Sequence, residues 1–232
     1  MQDILESGLA EYVGTAKGDT IGVVVPNISA DIRKALGTDF PALGALGARI
    51  GAGAQILAMD EAVKNTNSHI VAIFKPRDTK GGGGHGSLII VGADDTADAK
   101  RAVETGVSLT DRFFGGIYIC DAGHLEMQYT ASAGEVVAKA FGAPIGSAFG
   151  LICACPGAIG MVTADRAIKA ADTDILSVST PDFGTTHTNE MILTVSGEAS
   201  AVLEAVKAGR ETGLSLLSMM GERPEPLFEP YF

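Results

Sequence analysis

His85, His124 and His187 are candidate proton carriers, because an imidazole beside a carboxylate moves protons near neutral pH, and Asp121 and Glu126 lie close enough in sequence to orient His124. No serine or cysteine nucleophile motif accompanies them, and His85 and His187 fall in loops of small polar residues, so acid–base catalysis is not the expectation. Cys153 and Cys155 have a possible ligand spacing, but alternate residues of a strand share one face, and a C-x-C without a second pair nearby chelates poorly. Both read as small buried hydrophobes, and no metal is expected. The glycine-rich run 81–86 offers successive amides to a phosphate, yet it lacks the Gly-Lys-Ser/Thr ending of a nucleotide loop and does not lead from a strand into a helix. Gly47, Gly51 and Gly53 carry the dinucleotide-turn spacing in reverse, which fits a turn or close packing. Asp60 and Glu61 form an acidic pair inside a helical stretch. They could line a passage and hydrogen-bond a polyol or amino alcohol, or form a solvated helix face; both readings stay open at this point.

The elements that position these residues occur twice. Residues 34–92 align with 139–197 at a constant shift of 105, without a gap. Lys34 meets Lys139, Gly37 meets Gly142, Asp60 meets Asp165, Lys64 meets Lys169, Pro76 meets Pro181 and Gly92 meets Gly197. A period of that length is about one small domain and too long for a solenoid repeat, so the chain divides into 1–114 and 115–232. In the first half, periodicity and caps predict strands over 20–25, 43–50, 69–74 and 87–91, with helices over 29–36, 54–66 and 94–105. The second half predicts strands over 125–130, 148–155, 175–179 and 191–195, with helices over 132–141, 159–171 and 198–217. Each half is therefore expected to be a small α/β (α+β) sandwich, a mostly antiparallel four-stranded sheet with helices on one face. The polar loops 76–86 and 181–189 occupy the same place in the two repeats and can pack closely against copies of themselves around an axis.

Composition bounds the partners. The net charge of −11 and the lack of Lys/Arg clusters exclude nucleic acid and anionic membrane surfaces. Charged residues make up only 19% of the chain and mean hydropathy is +0.25, which points to surface covered by other subunits. Three cysteines without disulfide spacing fit a reducing cytoplasm, and no signal peptide opens the sequence. The uncharged stretch 147–164 is broken by Pro156-Gly157 and reads as a strand entering a helix rather than a membrane span.

Met59-Asp-Glu-Ala-Val-Lys64-Asn-Thr-Asn and its echo Ala164-Asp-Arg-Ala-Ile-Lys169-Ala-Ala-Asp resemble the D-x-x-x-K-A-A/T-N/D signature of bacterial microcompartment (BMC) shell domains. Glu11-Tyr-Val-Gly-Thr-Ala, Gly84-His-Gly-Ser-Leu-Ile-Ile, Gly123-His-Leu-Glu-Met-Gln-Tyr-Thr-Ala and Phe141-Gly-Ala-Pro-Ile-Gly extend the likeness over nearly the whole chain, to the tandem, circularly permuted branch of that family. The resemblance implies two tandem ferredoxin-like BMC domains and a homotrimer whose six domains make a pseudohexameric tile. Such tiles join other shell proteins edge to edge around metabolic enzymes. The role implied is structural, without catalytic residues and without a cofactor, since the loops at the axis contain no cysteine for an iron–sulfur cluster.

Carried onto this sequence, Lys64 and Lys169 match the tile-edge lysine. Gly83, Gly84, His85 and Gly86, with Thr185, Thr186 and His187, match the loops around the central axis. Asp60 and Glu61 match an acidic pair lining a channel for small polar metabolites such as glycerol or propanediol, in polyol, alcohol or amino alcohol catabolism. Encapsulated enzymes are a further implied partner, although the long amino-terminal extension that attaches cargo in some relatives is missing before Glu11. A trimeric ligand sensor of similar build would need a basic nucleotide-binding cluster, and a small hydrolase or lyase a nucleophile or metal set; the sequence offers neither.

Overall fold

The computed structural model describes residues 9–75, 86–180 and 189–232. Its first half runs β1 (Glu11–Ala16), β2 (Thr20–Val25), α1 (Ala30–Leu36), β3 (Ala42–Ala48), α2 (Gly53–Lys64), β4 (His69–Phe74), β5 (Ser87–Ala93) and α3 (Thr96–Phe113). After a 3₁₀ turn at Phe114–Gly116 the second half repeats the order: β6 (Ile117–Cys120), β7 (Gly123–Thr130), α4 (Glu135–Phe141), β8 (Ala148–Cys155), α5 (Gly157–Ala170), β9 (Asp174–Ser179), β10 (Met191–Gly197) and α6 (Ala199–Met220), followed by the short β11 (Glu225–Pro226). The sheets have orders β1-β2-β3-β5-β4 and β11-β6-β7-β8-β10-β9, with all described pairings antiparallel. No helix among the described residues is long and apolar enough to cross a membrane.

The first sheet carries one strand beyond the four expected, β1, and the second carries two, β6 and β11. β1 has no buried residue and β6 no exposed one, so neither gives a period-two signal. Local chemistry sets α1: Ser29 accepts the Ile32 N–H, and Gly37 ends the helix in the left-handed conformation at φ 68°. Its repeat α4 starts three residues later than the sequence predicts, at Glu135, because Gly134 has no side chain with which to cap it. Helix α3 runs eight residues past its expected end. Gly106 lies inside it where a Cβ would stand 2.2 Å from Met59 Sδ, so the glycine permits close packing of α2 on α3 rather than ending the helix.

Two apolar cores result, and they are not equivalent. One lies within the second half, between α5, α6 and the sheet, around Leu125, Met127, Ile152 and Leu193. The other contains Ile56, Leu57, Met59 and Val103 from the first half but continues into the second through Ala133, Val136, Val137 and Phe149. The first half is thus completed by the second.

Candidate functional site

The halves meet where the end of α2 reaches the start of α4. Asp60 is buried, and its carboxylate accepts N–H bonds from Gly134 at 2.8 Å, Val136 at 3.1 Å and Val137 at 3.0 Å. Those amides are the otherwise orphaned donors of α4, so a side chain of one half caps a helix of the other. Lys64 Nζ stands 2.8 Å from Asp60 Oδ2 and 2.9 Å from Glu61 Oε1, and also donates to the Ser132 carbonyl. Burial works against the Lys64 charge, but the hydrogen bonds and charges of Asp60 and Glu61 outweigh it and raise the ammonium pKa. Further ties join the halves: His69 Nδ1 lies 3.1 Å from Glu135, Lys75 Nζ donates to the Ala140 carbonyl at 3.2 Å, and the Ala54 N–H donates to Glu126 at 3.2 Å.

Beside this joint lies an open cleft of about 690 Å³. Glu61, Lys64, Arg112, Tyr129, Ser132 and Lys207 supply its polar lining, and the last two residues of the chain, Tyr231 and Phe232, complete it. Tyr231 is fixed by its hydroxyl, which accepts the Tyr129 N–H at 2.9 Å and donates to Gln128 Oε1 at 2.8 Å. Phe113 packs edge-on against its ring at 5.0 Å, and Arg112 lies over it at 5.8 Å.

The two members of the expected acidic pair stand apart in the structure. Glu61 lines the cleft; Asp60 does not, because its two oxygens are taken up by three amides and an ammonium. Lys64, Arg112 and Lys207 face one side-chain carboxylate, Glu61, so cationic side chains outnumber anionic ones along the wall. The expected edge lysines also differ. Lys64 is one-quarter exposed and holds the two halves together, whereas Lys169 is 68% exposed and pairs only locally with Asp165 at 2.7 Å. Of the expected axial residues, Gly86 is buried, while Gly83, Gly84, His85, Thr185, Thr186 and His187 lie outside the described residues.

A second polar group sits on the face of the second sheet turned toward the first half. His124 Nε2 lies 3.1 Å from Glu190 Oε2, and the Cys153 thiol donates to the same oxygen at 3.5 Å. Burial opposes the His124 charge, but contacts with Cys155 and Glu190 raise its pKa to about 9. Glu126 is raised to about 7 by burial and the nearby Glu190 charge, against the Gln128 hydrogen bond, the His124 charge and the Ala54 N–H. Burial and the surrounding carboxylates push the Cys153 thiol up. Cys153 is buried, in keeping with its reading as a small apolar group, but Glu190 was not singled out from sequence. Its only signal was a carboxylate directly before an apolar strand.

The BMC domain model matches residues 148–222, from β8 through α6. The shell protein PduB of Citrobacter freundii is 48% identical over 219 residues, 94% of this chain and 81% of the relative. That of Limosilactobacillus reuteri is 47% identical over 236 residues, all of this chain and 99% of the relative. The chain belongs to the bacterial microcompartment shell proteins. Among solved structures, a trimeric shell protein PduB matches with a TM-score of 0.91 at 47% identity, covering 96% of this chain and 99% of that one, and EtuB from Clostridium kluyveri with 0.92 at 48%, covering 96% and 98%. EutL from Clostridium perfringens shares the fold, with a TM-score of 0.72 at 20% identity. The internal repeat of this shell protein is thus a property of a tandem-domain fold that extends across nearly its whole length.

Proposed function

We propose that the chain is a shell tile that closes as a ring of three copies, with the cleft between its halves as a passage for small polar metabolites. The supporting observation is that each face buried between the halves recurs, 105 residues away, as a bare face. Ile56 and Leu57 of α2 are fully covered; their repeats in α5, Met161 and Val162, are 60% and 43% exposed. Val137 of α4 is buried; its repeat in α1, Ile32, is 48% exposed. The α5 face of one copy thus has the shape and character to receive the α1 face of the next. A head-to-tail contact of this kind either closes a ring or grows a filament. Two such steps per chain and a sixfold turn close it at three chains, in line with a relative described as trimeric.

In this reading Lys169 meets the next copy as Lys64 meets Ser132, and what stays exposed of both lysines serves the tile edge. The part played is structural, with other shell proteins as neighbours and no catalytic step assigned. Passage through the cleft rests on hydrogen bonding by Glu61, Arg112, Tyr129 and Ser132, which suits neutral hydroxylated solutes.

Light scattering on a size-exclusion column tests the ring. The wild type is expected at the mass of three chains and Met161→Glu/Val162→Glu at one, with the same far-UV circular dichroism. A monomeric wild type, or a trimeric double variant, sinks the proposal. Electron microscopy of concentrated wild-type protein is expected to show flat sheets of hexagonal texture.

A further inference from the structure

We propose that His124, Cys153 and Glu190 form a buried site for a divalent cation of zinc-like character. The three side chains come from β7, from β8 and from the residue directly before β10, so separate strands fix them. Their ligand atoms all lie within 4.8 Å of one another, and all three residues are buried. The His124 Nε2 to Glu190 Oε2 distance is 3.1 Å and that from Cys153 Sγ to Glu190 Oε2 is 3.5 Å. Zinc bond lengths of about 2.0 Å to nitrogen and oxygen and about 2.3 Å to sulfur place tetrahedral ligand atoms roughly 3.3–3.8 Å apart, so the group needs only a small adjustment to close on an ion.

The donor set fixes the class of ion. A thiol and an imidazole beside a carboxylate suit zinc and similar transition metals, whereas magnesium and calcium take all-oxygen sets. Cys155 shares a strand face with Cys153 and is paired with His124 across β7 and β8, so it lies beside the group without belonging to it. The partners that the C-x-C spacing lacks in sequence are provided to Cys153 by His124 and Glu190.

Binding removes one proton from the Cys153 thiol and one from the His124 imidazolium, both released to solvent; thiolate and carboxylate together then balance the ion's two charges. The repeat argues that this set is not required by the fold. The residues 105 positions earlier than Cys153 and Cys155 are Ala48 and Ile50, so the first half has no thiol at either place. The site is a property of the second half and does not depend on ring closure.

Cobalt(II) added to the untagged, chelator-treated chain is the probe. The expected result is about one cobalt per chain by elemental analysis after desalting, with the near-ultraviolet charge-transfer band of a cobalt–thiolate bond. Cys153→Ala should lose that band and His124→Asn should weaken binding at least about tenfold, while Cys120→Ala changes neither. No thiolate band in the wild type, or an unchanged band in a folded Cys153→Ala, overturns the proposal. Should Cys153→Ala fail to fold, the wild-type spectrum and His124→Asn decide it.

Discussion

Asp60 Oδ1 accepts the backbone N–H of Val137 at 3.0 Å, so a carboxylate in the first half terminates a helix in the second. The repeat partners of these two residues, Asp165 and Ile32, are both exposed, and α1 already has Ser29 as its own cap. This asymmetry separates the effects of two equivalent substitutions. Asp60→Ala removes the cap of α4 and leaves Lys64 with less compensation, at a cost of roughly 2–4 kcal/mol of unfolding free energy. In the monomeric Met161→Glu/Val162→Glu background, Asp165→Ala loses only an exposed pair and should cost less than about 1 kcal/mol. Urea denaturation of the two variants checks this, and equal losses would contradict it.

Glu126 gives the fold a pH dependence of definite sign. Its pKa is raised from 4.5 to about 7, so the folded chain holds a proton that the unfolded chain releases between those values. The Glu126 contribution is therefore fully present below pH 4.5 and is lost as pH rises through 7, by on the order of 3 kcal/mol. Glu126→Gln keeps an acceptor for the Ala54 N–H and cannot ionise. The stability of wild type minus variant, in chelator-treated protein, should fall across this window and level off above it; a flat difference would refute the assignment.

Tyr231→Phe tests the carboxy-terminal wall of the cleft. The buried hydroxyl accepts from the Tyr129 N–H and donates to Gln128, and its loss strands both partners at a cost of about 1–3 kcal/mol. Hydrogen exchange should quicken at the Tyr129 amide while amides of the first sheet are unaffected. Unchanged protection there would mean that the tail is not held by this bond.

Passage through the cleft predicts that glycerol binding, measured by calorimetry on the assembled protein, weakens in Arg112→Ala and Glu61→Gln but not in Asp60→Asn. Glu61 and Arg112 line the space, whereas Asp60 is shut away from it. Equal weakening by all three would return Asp60 to the channel wall.

Much of the fold was legible because its causes are local. The Ser29 cap and Gly37 stop bound α1, apolar runs mark β2 and β3, and the constant shift of 105 predicts that two sheets share one strand order. What escaped depends on distant partners. The start of α4 carries no signal because its cap lies 74 residues away, and Gly106 reads as a breaker until Met59 is packed on it. Likewise Asp60 and Glu61 are adjacent acids in sequence, and only the approach of α4 buries one while leaving the other at the cleft. His124 and Glu190 are 66 residues apart, and nothing short of the sheet order brings them together.

The contact between α2 and α4 is made inside one polypeptide, and this changes the kinetics of building a ring. Six separate domains would need five encounters to come together, each with its own loss of translational and rotational freedom; three tethered pairs need two. The tether holds the first contact at high effective concentration, so one of every two joints forms during folding and does not depend on how much protein the cell has made. In the proposed ring, assembly then responds to protein level only through the contact between α5 and α1, which can be strengthened or weakened by substitution without loosening the joint that folding has already closed.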